Sequence, residues 1–195
     1  MQDEHELVRR VQAGDPSAFR TFVERYQRDV YGLAYDLCGN HHDAEDLSQD
    51  VFIKAHRALG GFRADAKVGS WLYRITMNAF LDSRRRKPVQ VVSLHAPGGT
   101  DGADEVPLDL PATGLTPDGI ARDARIREDV ERALDVLSAQ ERTVFVMRHY
   151  HDMPIRDIST SLSIAEGTVK SMLFRSIRKL RDRLSHYRGE VGDTA

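Results

Sequence analysis

This 195-residue chain holds one cysteine, one tryptophan and no apolar run of membrane-spanning length. A lone Cys38 excludes an intrachain disulfide and a cysteine-rich zinc site. It lies in the mostly apolar stretch VYGLAYDLCG and reads as a buried, inert thiol. Without a run of about 20 apolar residues, no membrane-spanning helix is expected. The N-terminal MQDEHELVRR has no apolar core of the kind a signal peptide needs, so a cytoplasmic protein is expected. Phosphate loops and nucleophile elbows are missing as well. HHDAED (41–46) lacks the separated scaffold positions of a closed metal site and reads as the start of a helix, where acids are favourable. Neither an enzyme activity nor a cofactor is expected.

Charge is nearly balanced overall, at a formal −2, which argues against a uniform coat for nucleic acid, but it is unevenly distributed. Residues 1–87 carry 14 Lys+Arg against 13 Asp+Glu, residues 88–121 none against 5, and residues 122–195 14 against 12. Within the last part, residues 170–188 hold 7 bases and 1 acid. Two slightly basic parts flank an acidic connector.

Periodicity makes both parts helical. Leu7, Val8 and Val11 share one side of a first helix. Asp15 then reads as a cap with Pro16 in the first helical position. Phe19, Phe22, Val23, Tyr26, Val30, Leu33 and Leu37 step by three and four along a helix to Cys38. A further helix is predicted from Asp43 to Leu59, and another from Ser70 until Pro88 stops it. Five of the seven prolines fall between 88 and 119, with no base among them, so this stretch reads as a flexible linker. Helices resume near Ile120. Ser138–Glu141 and Ser163–Glu166 both spell Ser-x-x-Glu, the pattern of a capping box. The predicted fold is all-α: two small helical domains, 1–87 and 120–188, joined by the linker 88–119 and followed by a disordered tail, 189–195.

The final helix has two faces. At about 100° per residue, Val169, Leu173, Ile177, Leu180 and Leu184 form one stripe, predicted to be buried. Thr168, Lys170, Ser171, Arg175, Arg178 and Lys179 lie towards the remaining surface. A short helix marked by Ile155, Ile158 and Leu162 stands just before it, across the tight turn SIAE. Two such helices make a helix-turn-helix, whose second member can contact phosphates and major-groove base edges. A solvated basic face on a packing helix is the plainer alternative.

The stretch LSAQERTVFVMRHYHDMPIRDISTSLSIAEGTVKSMLFRSIRKLRDRL resembles the −35-reading domain of bacterial sigma factors, above all the extracytoplasmic-function class. Response regulators share a similar helix-turn-helix, so this half alone is not decisive. The N-terminal half adds the specificity. On DAEDLSQDVFIKAHRAL, Leu47, Val51, Ala55 and Ala58 form an apolar stripe, and Asp46, Gln49, Asp50 and Ile53 point elsewhere, on a face that is solvated or docks a partner. DAEDLSQDVFIKA is similar to the sigma segment that binds the clamp helices of the polymerase β′ subunit. The resemblance assigns that contact to Asp46, Gln49, Asp50 and Phe52, with Asp50 where the family usually has glutamate. Along the next helix, Trp71, Arg74, Asn78, Asp82 and Arg85 form a narrow strip between two apolar stripes. RRRK follows, either as phosphate contacts or as bases matched to the helix dipole. Taken by itself, Trp71 reads as a core ring sooner than as a stacking platform. FRADAKVGSWLYRITMNAFLDSRRRK resembles the part that melts and reads the −10 element, with the loop 63–70 forming a pocket for a flipped base. The resemblance assigns −10 contacts to Arg63, Lys67, Ser70, Trp71, Arg74, Asn78, Arg84, Arg85, Arg86 and Lys87, and −35 contacts to Thr168, Lys170, Ser171, Arg175, Arg178 and Lys179.

The order and spacing of the two matches imply an alternative sigma factor of the sigma-70 family. Its expected partners are core RNA polymerase (β′ clamp helices and β subunit), promoter DNA and an anti-sigma factor. Three departures from the family pattern stand out. Met172 replaces a usual arginine, and Ser159 and Ser176 replace alanines, which is tolerable if each hydroxyl bonds back to its own helix. A transcription regulator using only the helix-turn-helix predicts duplex binding without polymerase. A sigma-like adaptor or decoy predicts core binding without promoter opening.

Overall fold

Helix boundaries follow from residues that satisfy the backbone groups a helix end leaves open. In the computed structural model, which describes residues 4–62, 67–86, 129–185 and 187, α1 (Glu4–Gln12) buries Leu7 and Val8. Asp15 then caps α2 (Pro16–Cys38): its Oδ1 accepts from the Ser17 amide at 2.9 Å and the Ala18 amide at 3.2 Å, with Pro16 in the first turn as expected. Gly39, at φ +76°, ends α2 in the left-handed conformation and donates its N–H to the Tyr35 carbonyl. Asn40 Oδ1 accepts from the Asp43 amide at 2.8 Å, so α3 (His41–Ala58) begins two residues before the predicted Asp43. A 3₁₀ turn (Leu59–Gly61) precedes α4 (Val68–Arg86).

A helical segment over 129–134 leads to α5 (Ala139–His149), α6 (Ile155–Leu162) and α7 (Glu166–Arg183). Before α5 the capping box is present in both directions, Ser138 Oγ accepting from the Glu141 amide and Glu141 Oε2 from the Ser138 amide. The second predicted capping box is not formed. Ser163, at φ +54°, is the left-handed cap that ends α6, and Ala165 stands before α7 without a side-chain cap. An N-cap needs extended backbone, and Ser163 is spent on reversing the chain.

The described residues are helical with no strand among them, which is the all-α class expected. Phe22, Val30, Leu33 and Leu37 of α2, Val51 and Ala55 of α3, and Leu72, Met77 and Phe80 of α4 are almost fully buried against one another. Val144, Val146 and Met147 of α5 and Ile158 of α6 belong to the same apolar cluster. The helices on either side of 88–119 therefore meet, with α5 on α2 and α4 and α6 on α4. The linker, the tail and residues 120–128 lie outside the described residues.

The buried stripe of α7 differs from the predicted one. Val169, Met172, Leu173 and Ser176 are buried, whereas Ile177 is 40% exposed. Ile177, Leu180 and Leu184 instead line an open apolar groove of about 400 Å³ with Val130, Leu134, Phe145 and Tyr150. Ala58 of α3 is exposed, outside its predicted stripe. The Ser176 hydroxyl bonds back to the Met172 carbonyl at 2.9 Å, while that of Ser159 reaches the Ile164 carbonyl in the turn at 2.6 Å.

Candidate nucleic-acid interface

Three helix faces carry the predicted site residues. On α3 the inward positions Ala44, Leu47, Val51 and Ala55 are buried. Steps of three and four then bring Asp46, Gln49 and Asp50 to the outer face. Asp46 and Gln49 are exposed, Asp50 is half-buried and holds Lys54 at 2.9 Å, and Phe52 packs at the edge of the core. Ile53, 51% exposed, extends this face by one turn. It was absent from the predicted contacts, although a large apolar residue among outward acids is a readable sign of docking. Behind the face, Cys38, Asp43, Asp46, Leu47, Asp50, Ser83 and Arg84 enclose a small cleft, in which Arg84 approaches Asp43 at 3.9 Å.

Along α4, Arg74, Asn78 and Arg85 are exposed and Asp82 is half-buried, so this part of the predicted strip is open to solvent. Trp71 is not. It is 9% exposed, and its ring meets Phe62 at a centroid distance of 5.0 Å. Lys67 and Ser70 are exposed beside it. Arg84 lies over the Phe80 ring at 5.2 Å, turned towards α3, and Arg85 and Arg86 face solvent. Arg63 and Lys87 lie outside the described residues.

Helix α7 presents Thr168, Lys170, Ser171, Arg175 and Arg178, all exposed, on the side opposite Val169, Met172 and Leu173. Met172, standing where an arginine was expected, is buried. Lys179 departs from the group: its Nζ lies 2.7 Å from Glu141 Oε2, and Arg175 Nε is 3.4 Å from Oε1 of the same carboxylate. Burial pushes the Glu141 carboxyl up, but the Lys179 ammonium and the Ser138 hydrogen bonds outweigh it, and the net shift is down. Lys179 therefore neutralises a buried carboxylate that caps α5.

Helix α1 ties these elements together. Glu4 Oε1 accepts from the Val68 amide at 3.0 Å, one of the free N–H groups at the start of α4. The Tyr26 phenol, also bonded to Glu4, is pushed up to about 12, by burial first and then by the Glu4 charge. Arranged in this way, the molecule offers one acidic-apolar face suited to protein docking and two separate basic faces suited to phosphate and base contacts.

A family model described as sigma-70 region 2 matches residues 22–88, and one described as sigma-70 region 4 matches residues 127–180. The ECF RNA polymerase sigma factor SigE of Mycolicibacterium smegmatis is 35% identical over 186 residues, covering 93% of this chain and 68% of the relative. The ECF RNA polymerase sigma factor SigW of Bacillus subtilis is 30% identical over 178 residues, covering 91% and 94%. Among solved structures, the sigma factor RpoE of Bartonella quintana, in complex with the anti-sigma factor NepR, matches with a TM-score of 0.59 at 22% identity, over 86% of this chain and 96% of that one.

Proposed function

The chain belongs to the sigma-70 family, in its extracytoplasmic-function class, and directs promoter-specific transcription initiation with core RNA polymerase; we propose that it divides this work among the three faces. Asp46, Gln49, Asp50, Phe52 and Ile53 dock on the β′ clamp helices. The residues up to 87 read the −10 element, with Arg74, Asn78, Arg85 and Arg86 of α4 holding the separated non-template strand. The residues from 120 to 188 read the −35 duplex through Thr168, Lys170, Ser171, Arg175 and Arg178. Polymerase supplies the catalysis. The sigma factor contributes placement, and it holds bases whose extrusion costs a few kcal/mol of stacking. Partners of this reading are core polymerase in the cytoplasm, promoter DNA and an anti-sigma protein of the kind that holds RpoE in its complex.

The observation that carries this division is the two-sidedness of α7. Val169, Met172 and Leu173 anchor one side, while Lys170, Arg175 and Arg178 are exposed on the other after a tight turn from α6, Arg175 also reaching Glu141 at 3.4 Å. The test is transcription by sigma-free core polymerase on sheared genomic DNA, with the start sites mapped. Discrete starts sharing two upstream elements are expected. Arg178→Ala should weaken use of the −35 element, and Asn78→Ala that of the −10 element. Core binding without discrete starts would leave a decoy, and neither would leave a plain duplex-binding regulator.

A further inference from the structure

Gln12, an exposed residue at the end of α1, donates both of its amide hydrogens to backbone carbonyls far away in sequence: Leu59 at 3.0 Å and Phe62 at 3.1 Å, 47 and 50 positions on. Two carbonyls can only accept, so the side-chain nitrogen is the one atom of this amide that can serve both. From the other end of the same helix, Glu4 accepts from the Val68 amide. One nine-residue helix thus fixes the chain just before residue 63 and just after residue 67. Phe62, whose carbonyl Gln12 holds, lies against the Trp71 ring, and the Trp71 backbone N–H donates to the Lys67 carbonyl at 3.1 Å. The beginning of α4, and with it the register of Arg74 and Asn78, is therefore set from α1.

We propose that Gln12 and Glu4 are positioning residues for promoter melting: α1 braces the 3₁₀ turn and the first turn of α4, so that the strand-holding face is preorganised before DNA arrives. This rests on the reading of α4 given above. Capture of an extruded base competes with restacking, so a face that must first be ordered loses occupancy, whereas a braced one does not. Gln12 suits a test because it is exposed and buries no side-chain volume that a substitution would empty. Leu7 and Val8 pack α1 on the core independently of it.

The experiment uses holoenzyme on a promoter mapped as above, with 2-aminopurine placed in the non-template strand of the −10 element to report unstacking. Gln12→Glu sets a carboxylate against two carbonyls and should lower the open-complex signal roughly 3- to 10-fold, the effect of about one or two hydrogen bonds. Core affinity should be unchanged, and a pre-melted template should recover most of the transcription. Gln12→Lys, which restores a donor, should stay within about twofold of the parent on the same hydrogen-bond scale. Asn78→Ala runs in parallel. If it loses the signal while Gln12→Glu does not, the brace is overturned and the α4 reading stands. If neither loses it, the α4 reading fails and the brace with it. Equal losses in Gln12→Glu and Gln12→Lys, accompanied by a lower melting temperature, would overturn the brace in favour of a purely structural contact.

Discussion

Asp36 of α2 and His151, 115 positions apart, meet at 2.9 Å between Oδ2 and Nε2. The carbonyl of the same Asp36 accepts from Arg142 Nη2 at 3.4 Å, and the Tyr73 ring of α4 meets His151 edge-on at 5.3 Å. One residue of α2 thus touches both ends of the α5 region, and the helices before 88 are joined to those after 119 by polar as well as apolar contacts. Because both side chains are partly shielded, this hydrogen bond should be worth about 1 kcal/mol. A double-mutant cycle of Asp36→Ala and His151→Ala, read by urea unfolding, should return a coupling of about that size. A coupling of zero would mean that the pair contributes nothing in solution.

Arg142 makes a second, sharper prediction. Its guanidinium is nearly buried, bonds Asp135 at 3.0 Å, and leaves Nε without a partner among the described residues. A Cβ added at Gly39 would stand 2.7 Å from Arg142 Nη2, at a backbone φ of +76°. Gly14, at φ +83°, has nothing within 4 Å of the same added atom. Gly14→Ala should therefore cost only the left-handed conformation, about 1 kcal/mol. Gly39→Ala should cost about 2 kcal/mol, because Arg142 must also move off Asp36. Thermal unfolding of the two variants side by side checks it, and equal losses would remove Arg142 from the argument.

How far the sequence could be read depended on the range of the interaction. Caps and breaks are local, so Asp15, Pro16 and the box at Ser138 were legible, as was the solvent side of α7. Ser163 misled because Ser-x-x-Glu carries no information on which of two adjacent helices claims the serine. That is decided by the reversal of the chain between α6 and α7. Trp71 lay on the right strip of α4 by angle, yet it is buried, with Phe62 packed against its ring. Lys179 flanked the basic face by angle and is drawn to Glu141, 38 positions earlier. Periodicity places a side chain around its own helix but says nothing of what packs beyond it.

Acid should act through Asp15. The Ser17 hydroxyl first, then Arg10, holds its carboxyl well below the usual carboxylate range in the folded chain. A depressed folded value means that this stabilisation is fully present above the unfolded pKa, near 4, and is lost as pH falls through the folded value. Asp15→Asn keeps a capping oxygen but has no charge to lose. Urea midpoints should show the parent ahead of the variant at pH 7, with the gap narrowing from about pH 4 to pH 3. A gap independent of pH would show that the Asp15 charge is irrelevant to folding.

Adjacent bases on α7 should separate into two kinds. Arg178 is exposed and makes no ion pair among the described residues, so Arg178→Ala should leave unfolding within about 0.5 kcal/mol of the parent. On the −35 duplex it should flatten the salt dependence of holoenzyme binding by about one counterion. Lys179 holds the carboxylate of Glu141, a side chain 7% exposed, at 2.7 Å. Lys179→Met keeps the aliphatic stem but leaves that buried charge to Arg175 at 3.4 Å and to the Ser138 amide. The cost should be about 1–2 kcal/mol of stability, with the salt slope nearly unchanged. Glu141→Gln would then relieve much of the loss, because the neutral amide needs no counter-charge and its oxygen still accepts from the Ser138 N–H. Urea unfolding and salt-dependent binding, measured on the same three variants, decide it. A Lys179→Met protein that folds like the parent but loses a unit of salt slope would place Lys179 on DNA rather than on Glu141. The paired carboxylate explains why the opposite result is expected: an ammonium already held by a buried anion has little left to give a phosphate.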